Sequence, residues 1–307
     1  MMKQEQTNKN HALKDDFVDL RELFDLLWEG RKLIISITCV FALCSIIVGL
    51  SLNNYYKSEA ILTLAEGQSE LSALSRFGGI ASMAGINIPG GGEDKGALIT
   101  NTIRSRAFLN HLLSVENILP SIMVAESYDR ESKKIVFDSN IYDVANNKWL
   151  ETQPTYLEAY EEYMEQLDIY YNPTTRLITI SIVHLSPVFA KEFLELIIDE
   201  ADALIRQKDL QQSSDALKYL TSEISKTSLI EMKSSINQLI QTQLETQMMA
   251  KISSNYILYV IEPAFIPEKK LKPSRLLICL SVTIIGCVLS ILWILIRHFA
   301  LNEKSIA

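Results

Sequence analysis

Two long apolar stretches without a charged residue lie near the two ends of the chain, and more polar sequence separates them. They cover Leu33–Leu52 and Leu276–Ile296. A helix of about 20 apolar residues, rising ~1.5 Å per residue, matches a hydrocarbon core of ~30 Å. The pattern therefore predicts two transmembrane helices. Residues 1–32 and 297–307 are then tails on one side of a membrane, and residues 53–275 form a domain on the other.

The charges that flank the two spans carry little information about orientation. Arg31, Lys32 and Arg297 favour cytoplasmic tails, whereas four basic residues between Lys269 and Arg275 nearly balance them from the other side. Long segments cross a membrane largely regardless of their charge, so loop length decides where the charge rule does not. We therefore expect the middle of the chain to be extracytoplasmic.

Three segments of the middle domain have the character of β-strands. Tyr55–Leu64 alternates between two unlike faces, and Arg176–His184 and Ile257–Ile261 are rich in β-branched residues. The first of these segments leaves the membrane and the last returns to it, so both must lie close to it. We predict that the three strands form one small membrane-proximal sheet.

Between the strands the pattern is helical. Helices are predicted over Asp94–Leu113, with the aspartate as its cap, and over Pro154–Leu167. The longest candidate covers about residues 187–252, where Pro187 suits a helix start and no other proline or glycine follows. A break near Lys226–Ser228 would give helices of about forty and twenty-five residues and a hairpin of roughly 60 Å, whereas an unbroken helix would span nearly 100 Å.

Apolar side chains in the second half of this long segment recur at steps of three and four residues. Much of this stripe has too little of its own chain to pack against, so we infer a homo-oligomer. An intramolecular bundle with the Asp94–Leu113 helix is the alternative. The predicted oligomer-facing residues are Leu229, Met232, Ile236, Leu239 and Ile240.

Composition argues against nucleic-acid binding and against disulfide bonds in the middle domain. The net charge of −8 includes no basic surplus of the kind that nucleic-acid binding needs, so we predict no nucleic-acid partner. The domain between the spans has no cysteine and therefore no disulfide, because all cysteines lie within the spans. They are Cys39, Cys44, Cys279 and Cys287.

The residue types that usually perform catalysis do not form a recognisable active-site pattern. We therefore predict that the protein is not an enzyme and that it binds no cofactor and no metal ion. The histidines are scattered, and three glutamates on one predicted helix are better explained as a solvated face than as paired carboxylates for sugar cleavage. Eight of the eleven glycines fall in Gly67–Gly96, which lacks the ending of a nucleotide-binding loop and is expected to be a flexible loop. The scattered histidines are His11, His111, His184 and His298, and the three glutamates are Glu161, Glu162 and Glu165.

A proline-punctuated linker runs directly into the second span. Its sequence, IEPAFIPEKKLKPSRLLI over Ile261–Ile278, resembles the signature of the polysaccharide co-polymerases, the Wzz-type chain-length determinants. The segments DLRELFDLLWEGRKLII, YYKSEAILTL and TRLITISIVHLSPVFAKEF are similar to other parts of that family, in the same order. The prolines of the linker, residues 263–273, keep it extended and stiff. They are Pro263, Pro267 and Pro273.

The resemblance implies an α+β membrane protein of the bacterial inner membrane. Its two transmembrane helices would flank a periplasmic domain with a small membrane-proximal sheet and a long protruding helical hairpin. Identical subunits would assemble into a closed, octamer-like ring. Members of this family set the chain length of a surface polysaccharide, typically the O-antigen of lipopolysaccharide, and perform no bond chemistry. The implied partners are an O-antigen polymerase and the growing polysaccharide or its lipid-linked glycan.

Other functions fit the same layout. The nearest alternative is a co-polymerase or adaptor for capsule or exopolysaccharide export that works with a separate tyrosine kinase. A two-span sensor would need a cytoplasmic output module, and neither tail is long enough to be one. A surface glycosidase would need the paired carboxylates discussed above.

Overall fold

A computed structural model of the protein describes Trp28, residues 30–65 and residues 95–303, with side chains up to Arg297. The chain divides into two compact units. One contains Met1–Leu52 and Pro273–Ala307, and the other contains Asn53–Lys272. The predicted helix cap Asp94 and nearly all of the glycine-rich segment lie outside the described residues.

The first unit contains two apolar helices, α1 (Arg31–Ser51) and α8 (Arg275–Glu303). Both are long and apolar enough to cross a membrane. Most of their large apolar side chains are exposed, whereas a soluble protein buries a helix that is apolar on all sides. The two helices pack against each other, and a Cβ added at Gly286 would lie 2.6 Å from Cβ of Phe41.

The second unit is built on a four-stranded antiparallel sheet with the strand order β6-β7-β1-β8. The strands are β1 (Tyr56–Leu64), β6 (Leu167–Asn172), β7 (Leu177–His184) and β8 (Leu258–Glu262). In the central pair Ala60 lies opposite Ile180, and Leu62 lies opposite Ile178. The three predicted strands are confirmed, and β6 is an additional edge strand.

One face of this sheet carries the core of the domain. Along β1 buried and partly exposed residues alternate, as expected for a strand that is covered on one side only. The covering element is the first part of a long helix that follows β7, and its buried side chains belong to the same apolar cluster as the sheet. The centre of this cluster is formed by Ala60, Leu62, Ile178, Ile180, Ile182, Phe193, Leu194 and Ile197.

Three short helices contribute buried side chains to the same apolar cluster. They are α2 (Lys95–Ile103), α3 (Arg106–Leu112) and α4 (Ile118–Met123). The single helix predicted up to Leu113 is therefore two helices. Ser105 divides them, because it is extended and its side chain accepts a hydrogen bond from the Phe108 N–H at 3.1 Å.

Two small hairpins lie between α4 and the next helix. Strand β2 (Ala125–Asp129) pairs with β3 (Lys134–Phe137), and β4 (Tyr142–Asp143) pairs with β5 (Lys148–Trp149). The sequence pattern did not predict these strands, because each is too short to show alternation.

The helix predicted over Pro154–Leu167 is shorter than expected. It is α5 (Tyr156–Gln166), and it begins with a capping box in which the Thr155 and Glu158 side chains each satisfy the other's backbone N–H. Leu167 is the first residue of β6 instead of the last residue of the helix. The chain thus passes from helix to strand without a turn.

The longest elements form a helical hairpin of α6 (Pro187–Lys226) and α7 (Ile230–Ile252). Ser186 caps α6 by accepting a hydrogen bond from the Phe189 N–H, with Pro187 at the first helical position. The chain reverses through the extended residues Thr227 and Leu229, within one residue of the predicted break. The predicted α+β class, with two apolar helices, a small sheet and a long hairpin, is confirmed.

Candidate assembly surface and linker

The outer part of the hairpin buries few side chains within its own chain. All buried residues of α6 lie between Pro187 and Ser213, where the helix covers the sheet. In α7 the buried residues are Ile236 and Ala250. Among the described residues, the segment from residue 214 to residue 249 therefore packs mainly against itself, and many of its apolar side chains are exposed.

The five residues predicted to face another subunit do not share one environment. Leu229, Met232 and Leu239 are 61%, 52% and 48% exposed, and Ile240 is half-buried. Ile236 is only 8% exposed, so it packs inside the hairpin of its own chain. The structure thus leaves four of the five available to a partner, and their role in assembly stays a prediction.

Other large apolar side chains of the hairpin are also exposed. Ile230 is 80% exposed at the start of α7, and Tyr219 is 65% exposed near the end of α6. The sequence pattern did not identify these two residues as exposed. A large apolar side chain at the polar end of a helix could have identified them. Further along α7, Leu244, Met248 and Ile252 are exposed as well. Apolar exposure on this scale is typical of a surface that another molecule covers.

A buried carboxylate fixes the base of the hairpin. Asp202 of α6 accepts hydrogen bonds from the backbone N–H groups of Tyr256, Ile257 and Leu258, at 2.7 to 3.2 Å. Arg206, one turn later, donates to Asp202 at 2.8 Å and to the Ser254 carbonyl oxygen at 2.7 Å. These contacts join α6 to the turn between α7 and β8, so they set the direction of the hairpin relative to the sheet. Sequence analysis did not identify Asp202, because nothing in a helical pattern marks a side chain that caps a distant turn.

The linker after β8 runs back along the start of β1. The Ser58 hydroxyl donates to the Phe265 carbonyl oxygen at 2.7 Å. At the end of the linker, the Tyr55 N–H donates to the Lys272 carbonyl oxygen at 2.9 Å, and the Leu271 N–H donates to the Tyr55 carbonyl oxygen at 2.8 Å. The segment that contains Pro263 and Pro267 is thus held at both ends, and Pro273 follows directly after its last contact.

The histidines and glutamates considered as candidates for catalysis or metal binding lie on several different elements in the described part of the structure. His111 pairs with Glu200 at 2.7 Å, whereas His184 is buried at the end of β7. Glu161 and Glu165 are exposed on α5, and Glu162 accepts a hydrogen bond from Gln166. Among the described residues, no group of three His, Cys, Asp or Glu side chains is placed to hold a metal ion.

A comparison with protein-family models agrees with the resemblance found in the sequence. Residues 16–115 match the family model described as "Wzz: Chain length determinant protein". No curated protein matches the chain. The structure is similar to that of a full-length bacterial polysaccharide co-polymerase, with a TM-score of 0.42 and 12% identity, over 92% of this chain and 99% of the other. A fragment of WzzB, a polysaccharide co-polymerase from Salmonella Typhimurium, gives a TM-score of 0.30 and 11% identity, over 71% of this chain and 100% of the other.

Proposed function

We propose that this chain, which resembles the polysaccharide co-polymerases of the chain length determinant family, regulates the length of a surface polysaccharide without catalysing any reaction itself. The match of residues 16–115 to the chain length determinant model carries this proposal. The two apolar helices, the small sheet and the long hairpin support it. The polysaccharide we expect is the O-antigen of lipopolysaccharide, and the partner is its polymerase.

The proposed location is the bacterial inner membrane. Leu33–Leu52 and Leu276–Ile296 would cross it, residues 1–32 and 297–307 would lie in the cytoplasm, and residues 53–275 would lie in the periplasm. Both ends of the sheet domain support this layout, because β1 and the linker each lead into an apolar helix within a few residues. The polymerase and the lipid-linked glycan would then meet the domain at the periplasmic side.

The proposed working form is a closed ring of identical subunits. The exposed apolar residues of the hairpin, among them Met232 and Leu239, support an interface between neighbours. A ring gives every subunit the same two neighbours, so one such surface with its complement is sufficient to close the assembly. A ring would influence length either by offering the growing chain many equivalent surfaces or by organising polymerases around it.

The direct test is the lipopolysaccharide banding pattern of cells with and without the gene, with the polymerase gene intact. Loss of a modal cluster of bands in favour of a short-weighted ladder, restored by complementation, is the expected result. An unchanged ladder would contradict O-antigen control. The same cells should then be tested for a change in the length of capsule or exopolysaccharide, which the export alternative with a separate tyrosine kinase requires.

A further inference from the structure

A cleft of about 590 Å³ lies between the first turns of α6 and the two small hairpins. This volume falls within the range of ~300–1,000 Å³ that is usual for small-molecule sites. It belongs to a single compact unit and is separate from the exposed face of the hairpin. The residues on which the argument depends are Glu116, Phe137, Tyr142, Asn147, Phe189 and Glu192.

Aromatic rings form the walls of the cleft. On one side Phe189 is half-buried and stacks on Phe193, with the ring planes 14° apart and the centroids separated by 5.2 Å. On the other side Phe137 packs against Tyr142 at 5.8 Å. These contacts hold the rings in place before any ligand arrives, which reduces the entropy lost on binding.

Hydrogen-bonding groups surround the aromatic walls. The Tyr142 hydroxyl donates to the Asn147 side-chain oxygen at 3.4 Å, and the Asn147 amide donates to Glu116 at 3.1 Å. Glu192 is exposed on the opposite wall. An amide and two carboxylates provide several acceptors and some donors, which suits a ligand with many hydroxyl groups.

The charge of the cleft indicates a neutral ligand. Two carboxylates, Glu116 and Glu192, are balanced by two ammonium groups, Lys133 and Lys134, at the same cleft. A nucleotide or another phosphate ligand would favour a cationic surplus, and a lipid chain would favour walls without charged side chains. A sugar ring fits both features of the cleft, because it has an apolar C–H face for aromatic contact and hydroxyl groups at its edge.

We propose that this cleft binds a neutral segment of the surface polysaccharide, with a sugar ring packed against the aromatic walls and its hydroxyl groups bonded to Asn147 and Glu192. The identity of the ligand rests on the proposed function, whereas the cleft itself does not. Binding at this site would give each subunit a direct contact with the polymer whose length it regulates.

The experiment measures binding of oligosaccharides by the full chain in lipid nanodiscs. The probe is the surface polysaccharide of the cells that carry the gene, cleaved by mild acid and labelled at the reducing end. Phe189→Leu keeps an apolar side chain but removes the aromatic face, Asn147→Gly removes the amide, and Glu192→Gln removes the charge. Each should weaken binding about fivefold to tenfold.

Asn146→Ala and Glu195→Gln serve as matched controls, since each changes a neighbouring residue that does not line the cleft. Both should bind as the wild type does. If Phe189→Leu fails to fold, the exposed residues Asn147 and Glu192 decide the question. Absence of saturable binding by the wild type, or equal binding by all the variants, would overturn this proposal. The banding pattern of the deletion strain tests the proposed function separately.

Discussion

At the scale of single residues, His184 is buried at the end of β7 in its neutral form. Its Nε2–H donates to the Ser121 carbonyl oxygen at 2.9 Å, and its Nδ1 accepts from the Ser186 N–H at 3.0 Å. A carbonyl oxygen can only accept, so these contacts assign the proton to Nε2. Burial lowers the pKa of His184 to about 4, from an ordinary value of 6.5.

The lowered pKa of His184 makes the stability of the folded protein depend on pH. Between pH 6.5 and about 4 the unfolded chain binds a proton at this position and the folded chain does not, so acidification favours unfolding. At pH 5 the free energy of unfolding should be about 2 kcal/mol lower than at pH 7.5 through His184 alone. Urea unfolding of the detergent-solubilised chain at both pH values measures the change.

His184→Gln provides the comparison, because the glutamine amide can donate to Ser121 but does not titrate in this range. Other groups, such as Asp199, whose pKa is raised by burial, contribute equally to both proteins. The pH dependence of the variant should therefore be weaker by the His184 contribution. An identical dependence in the two proteins would show that His184 is not buried in the neutral form.

At the scale of secondary-structure elements, two contacts decide how the long helices are held. One is the Asp202 carboxylate, which accepts three backbone N–H groups from the turn into β8. The other is the close approach of α1 and α8 at Gly286. Neither contact is a property of one element, because each depends on a partner distant in the sequence.

Asp202→Ala should lower the free energy of unfolding by about 3 kcal/mol or more, because it leaves three buried N–H groups without their acceptor and removes the carboxylate that pairs with Arg206. Asp215→Ala on the same helix is the control, since that side chain is exposed and its contacts are with side chains of its own helix. Urea unfolding of the full chain in detergent compares the two variants. Equal losses in the two variants would contradict the anchoring role of Asp202.

Gly286→Val should separate α1 from α8, because its side chain would occupy the position of Phe41. We expect a lower thermal unfolding temperature in mild detergent, by several degrees. Gly49→Ala is the control, as a Cβ at that position meets no atom within 4 Å. An unchanged unfolding temperature for Gly286→Val would mean that the two helices do not pack at this point.

At the scale of the whole molecule, the hairpin presents an apolar surface that the described residues of its own chain do not cover. The protomer does not need these side chains for its core, because the core lies on the sheet. Assembly and protomer stability should therefore be separable by mutation. Ile236 cannot provide that separation, since it is buried inside the hairpin and a charge there would damage the protomer itself.

Met232→Asp combined with Leu239→Asp should reduce the mass of the assembly in mild detergent while the unfolding temperature of the protomer changes little. Each substitution places a carboxylate in an apolar interface, where an unpaired charge is costly to bury. The mass is measured by light scattering during size-exclusion chromatography. The banding pattern of the surface polysaccharide should broaden in the same cells.

Gln238→Asp is the control, because it adds one negative charge next to Leu239 at an exposed polar position. It should leave the assembly intact. A double variant that retains the full mass would place the interface between subunits elsewhere. A monomer that also loses its thermal transition would show that Met232 and Leu239 are needed for folding.

The sequence by itself determined the features that depend on local composition and period. Each of these features follows from one local physical preference, so each could be predicted. They are the two apolar stretches, the alternation of β1, and the absence of proline and glycine through the hairpin. Where two local structural preferences compete, the tertiary structure decided which of them prevails. Leu167 leaves α5 and pairs with β7, and Ile236 turns inward, because each depends on the surface opposite it. Asp202 and the aromatic cleft belong to this second group, since their residues come from elements far apart in the chain.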